Sequence, residues 1–139
     1  MAEFIKSRKG TLIAVILPRK LETKGVTFFT PPDFSQQVGL LCHEKGAEVK
    51  PHVHKIVHRK VAITQEVLHV KKGKIAVYLY DENRTLVATR ILKSGDTILL
   101  ANAGHGIKVL EDSLMLEVKQ GPYAGVDDKE YIEKRKKHK

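Results

Sequence analysis

The stretch that decides the reading runs from Gly46 to Gly73, GAEVKPHVHKIVHRKVAITQEVLHVKKG. It sets His52 and His54 two residues apart, then Glu66, then a glycine where the chain can turn. In an extended strand, residues i and i+2 point to one face, so the two imidazoles aim at one point. By the same alternation Glu66 shares a face with Leu68 and Val70, which sets a carboxylate among apolar neighbours. An unpaired buried charge is costly, so Glu66 needs a partner. A divalent metal held between the imidazoles and the carboxylate would supply it.

Outward from this stretch the chain reads as a succession of short strands. Val61 to Val70 is expected as a long strand, Lys71 to Lys74 as a hairpin turn with Gly73 free to take positive φ, and Lys74 to Tyr80 as the return. Toward the N-terminus, Thr11 to Leu17, Gly25 to Thr30 and Gln37 to His43 read as strands, the first two stopped by prolines. Glu48 to His54 is extended but carries Pro51, which suits an edge or a bulge over a central strand. Toward the C-terminus follow Leu86 to Leu92, Thr97 to Leu100, Ile107 to Leu110 and Leu114 to Lys119. One helix is expected, from about Asp127 to Lys136, acidic at its start and basic at its end as the helix dipole favours. Many short strands with glycine-bearing turns point to a sandwich or closed barrel, and no helices alternate with them to build a parallel sheet.

At 139 residues the chain is the size of one domain, spanning 1–133 with N-terminal strands in 11–43 and a core in 46–120, and a basic tail in 134–139. Its net charge is +9, but five of those charges are Lys134, Arg135, Lys136, Lys137 and Lys139, which leaves +4 for the body. Such a run is a solvated end or a weak, salt-sensitive polyanion contact, and no basic-aromatic interleaving elsewhere suggests nucleic-acid recognition. The single cysteine, Cys42, excludes an internal disulfide framework and a Cys-rich zinc site. The longest early apolar run, Leu12 to Leu17, is too short to span a bilayer and lacks a cleavage pattern. A cytoplasmic protein without membrane contact is the expectation.

The same residues resemble the cupin superfamily. Its first motif is similar to Gly46, five residues, His52-x-His54, a spacer, Glu66, six residues and Gly73. Its second is similar to Gly95-Asp96-Thr97-Ile98-Leu99-Leu100 followed by His105. The Gln65-Glu66-Val67-Leu68-His69-Val70 strand and the Ala103-Gly104-His105-Gly106 corner look like those of small, single-domain, carbohydrate-associated (WbuC-like) cupins. The chain departs from the pattern in the eleven residues between His54 and Glu66, and in Ala101 and Ala103 where the family has proline and glycine.

The resemblance implies an all-β double-stranded β-helix, a jelly-roll barrel, here with a short C-terminal helix. It implies that His52, His54, Glu66 and His105 hold a divalent metal, and such a nitrogen-rich donor set suits Zn, Fe, Mn or Ni. His58 lies in the long spacer and is an alternative ligand or a polar loop residue. Gln65 alternates away from Glu66 but a bulge would exchange the two. Tyr78 and Tyr80 share a strand face as core or pocket wall, and Tyr123 caps the barrel or covers apolar surface. Three functions follow. One is a metal-dependent enzyme acting on a small polar metabolite, such as a sugar or nucleotide-sugar. Another is a non-catalytic sugar- or metabolite-binding cupin, and the third is an interaction protein using the basic tail. Whether turnover occurs is open. The apolar Thr11 to Leu17 strand needs covering, consistent with a homodimer.

Overall fold

The computed structural model describes residues 1–133. Ten strands follow one another: β1 (Glu3–Lys6), β2 (Leu12–Leu17), β3 (Gly25–Phe28), β4 (Gly39–Cys42), β5 (Glu66–Lys72), β6 (Lys74–Tyr80), β7 (Leu86–Lys93), β8 (Thr97–Leu100), β9 (Gly104–Val109) and β10 (Leu114–Lys119). They form three separate antiparallel sheets, of strand order β1-β2-β8-β5-β10, β7-β6-β9 and β3-β4.

The layers follow from which faces are apolar. In β6, Ile75, Val77 and Leu79 alternate onto one face and are fully buried. They meet Leu68 and Val70 of β5, Ile98 and Leu100 of β8, and Ala14 and Ile16 of β2, so the main core lies between the five- and three-stranded sheets. Burying each such side chain contributes about 1.5–3 kcal/mol. The opposite face of the five-stranded sheet carries Val15, Leu17 and Leu99, covered by Phe29, Phe34, Val38 and Leu40 from the β3–β4 region. A strand covered on both faces has no polar side, which is why Leu12 to Leu17 reads as an unbroken apolar run. Its covering comes from within the chain, so it supplies no argument for a second copy.

This architecture corrects the jelly-roll barrel and with it the assignment to the cupins. Closing a barrel requires edge strands to bond to one another. Here β1 and β10 remain edges of one sheet and β7 and β9 edges of another, and none of the sheets closes. The segment expected to be extended, Glu48 to His54, forms no strand, and Lys45 to Thr64 is exposed throughout. Pro51 lacks a ladder donor, and the isolated apolar residues Val49, Val53, Ile56 and Val57 have no alternating partner face to bury. Consequently the long strand expected over Val61 to Val70 begins only at Glu66.

The C-terminal helix is also corrected: among the described residues there is a 3-10 turn at Val126–Asp128, and Lys129 is extended. A short segment without a packed apolar face does not sustain a helix. Residues 134–136 of that expected helix, and the whole basic tail, lie outside the described residues. No helix among the described residues is long and apolar enough to cross a membrane.

Candidate functional site

The alternation of β5 places Glu66 on the inner face of the five-stranded sheet, beside Leu68, with Leu100 opposite it on β8. Across the core, β9 sets His105 opposite Leu79, on the inner face of the three-stranded sheet. The two side chains meet at the mouth between the sheets, His105 Nε2 lying 3.1 Å from Glu66 Oε2. The Glu66 side chain is only 10% exposed, whereas that of His105 is 34% exposed. The pair therefore has a buried anchor and a solvent-facing end.

The charges around the pair are ordered. The hydrogen bond from His105 holds the Glu66 carboxyl below its ordinary range, outweighing the upward push of burial. The positive charges of His105, Lys119 and Lys129 pull in the same direction. Lys119 is directly opposite Glu66 in the β10–β5 ladder and so shares its face. An ionised Glu66 only accepts, so the imidazole nitrogen facing it carries the proton. Nδ1 of His105 is then the nitrogen that Glu66 does not engage.

Neighbouring residues fix this geometry. Gln65 is 3% exposed on the opposite face. Its Oε1 accepts from Ser35 Oγ at 3.2 Å and from the Gln36 backbone N–H at 3.0 Å, and its Nε2 donates to the Ala101 carbonyl at 3.3 Å. This clamps the start of β5 immediately before Glu66. Ala103, two residues before His105, takes φ 61, a left-handed conformation that strains a residue with a Cβ by about 1–2 kcal/mol. A Cβ on Gly104 would lie 2.5 Å from Ile132 Cδ1, so glycine there lets Ile132 close over the start of β9. Thr64 Oγ1 donates to Asp128 Oδ1 at 3.5 Å. The C-terminal segment thus touches the beginnings of both β5 and β9, and brings Lys129 to the mouth.

The other expected site residues lie elsewhere. His52 and His54 are exposed in the irregular segment, their rings edge to face with centroids 5.1 Å apart, and His52 Nδ1 is 2.7 Å from the Lys50 carbonyl. His58 is exposed in the same segment. Tyr78 and Tyr80 face away from the core, opposite Gly106 and Gly104 of β9. Tyr123 is 79% exposed, with Lys119 Nζ 5.9 Å from its ring centroid.

Glu66 and His105 are thus brought together, while His52 and His54 form a separate pair. Among the described residues no group of three or more His, Cys, Asp or Glu is placed to hold a metal ion. This overturns the metal-binding cupin function: its donor set is divided, and Glu66 and His105 satisfy each other. Lys119 and Lys129 carried no sequence signal, because the ladder that sets Lys119 opposite Glu66 is a long-range pairing. No family model matches the chain, and no curated protein or solved structure matches it. Fold and site together define a class: a three-layered all-β protein with a carboxylate–imidazole pair at an open seam.

Proposed function

We propose that the seam between β9 and β10 binds a small organic acid, with His105 and Lys119 as its contacts and Glu66 as the group that positions His105. The observation that carries this reading is the unequal burial of a bonded pair, Glu66 at 10% and His105 at 34% side-chain exposure. Glu66 engages one imidazole nitrogen and leaves the second available to a ligand. The imidazole donates one N–H to Glu66, and Lys119, on the same face as Glu66, supplies the charge-assisted hydrogen bond to the acid. Lys119 and Lys129 add a positive field that offsets the Glu66 charge and attracts the acid. A cytoplasmic setting suits the exposed, unpaired Cys42.

The test is a titration with acetate, lactate and malonate followed by amide chemical shifts. Shifts centred on Glu66, His105 and Lys119 are expected, and His105→Ala or Lys119→Ala should weaken binding about tenfold, the effect of one lost charge-assisted hydrogen bond. Shifts confined to other regions, or binding unchanged in His105→Ala, would refute it.

A further inference from the structure

All four phenylalanines of the chain line one cavity of about 700 Å³ on the outer side of the five-stranded sheet. Phe29 and Phe34 pack on the buried cluster of Val15, Leu17, Leu99 and Ala101 and form its floor. Phe4 and Phe28 stand at its rim, 49% and 54% exposed. Half-exposed aromatic rings facing a concavity offer faces on which a planar ring can stack.

Lys6 lines this cavity and also a second one, of about 620 Å³, which carries Arg8 and Lys9. Asp33 borders the phenylalanine cavity, and Asp81 and Glu82 border the second, where internal bonds fix their direction while leaving their charge. Asp81 Oδ1 accepts from the backbone N–H groups of Asn83 and Thr85, each at 2.9 Å. Glu82 Oε1 accepts from Ser7 Oγ at 3.0 Å. Among the described residues Lys6, Arg8 and Lys9 form no direct ion pair, although the charge of Lys9 acts on Glu82. An aromatic slot therefore adjoins a bowl in which three cations outnumber two carboxylates, with Lys6 common to both.

We propose that these two cavities form one binding site for a planar aromatic anion of the mononucleotide type, its ring in the phenylalanine slot and its phosphate in the Lys6–Arg8–Lys9 bowl. Phe4 and Lys6 are two residues apart on β1, about 7 Å, so one sugar spans the step from ring to phosphate. Aromatic stacking accounts for the ring and clustered cations for the phosphate, and neither half alone explains the other. The phenylalanine slot lies on the face of the five-stranded sheet opposite Glu66, so ring stacking there is tested separately from the seam.

The test measures binding of AMP, adenosine and inorganic phosphate to the full chain by calorimetry and amide shifts. AMP should bind at least about tenfold more tightly than either fragment, perturbing residues 4–12 and 28–34. Phe28→Ala and Lys6→Gln, both at exposed positions, should each weaken AMP about tenfold and leave thermal stability nearly unchanged. AMP binding no tighter than phosphate would reduce the site to a nonspecific anion patch and overturn the proposal. So would a protein that sediments as a dimer, becomes monomeric on Phe28→Ala and binds no AMP, because the aromatic slot would then be a self-association surface.

Discussion

At the scale of single residues, Glu66 is a nearly buried carboxylate whose bonded partner is the imidazole of His105. Alternation with Leu68 and Val70 set the carboxylate toward apolar surroundings, and the need for a countercharge followed from burial. The partner expected was a cation shared with three histidines, and the partner found is the imidazole of His105 at 3.1 Å. Sequence spacing gives the face of a strand, but not the distance between strands of different sheets. The pairing has a consequence in acid. The folded pKa of Glu66 is lowered, so below the ordinary carboxylate value of about 4.3 the unfolded chain binds the proton more readily. The stability Glu66 contributes is present above that value and is lost as pH falls through the folded pKa. Glu66→Gln should therefore flatten the decline in unfolding free energy as pH falls below the ordinary carboxylate range. An equally steep decline in the variant, measured by urea denaturation, would remove Glu66 from this role.

At the scale of elements, the β5–β6 hairpin was the most readable part. Alternating apolar residues and Gly73 located both strands, and β5 ends and β6 begins on either side of that glycine. Gly73 takes φ 90, and a Cβ there would collide with the Asp112 carbonyl and Ser113. Gly73→Ala should cost at least about 2 kcal/mol, the strain of a left-handed residue plus a backbone collision. Urea denaturation checks this, and a loss below half that size would show that the turn relaxes. Other elements were hidden for a physical reason. β1 is a four-residue edge strand with only Ile5 buried, too short to show periodicity. Glu48 to His54 alternates as a strand would, yet nothing pairs with it, and an isolated strand has no source of stability.

At the scale of the whole molecule, the all-β class was legible from strand spacing, and closure was not. Closure depends on whether edge strands reach each other, a property of layers that no local pattern encodes. The result is a sandwich with open edges, and its seam is where Glu66 of one sheet meets His105 of the other. The claim that this contact joins the sheets and creates the site is tested most directly by a double-mutant cycle of Glu66→Gln and His105→Ala. Unfolding free energies of the four proteins should give a coupling of about 1–3 kcal/mol, that of a partly buried charge-assisted hydrogen bond. A coupling indistinguishable from zero would mean that the two side chains act separately, and would contradict the account.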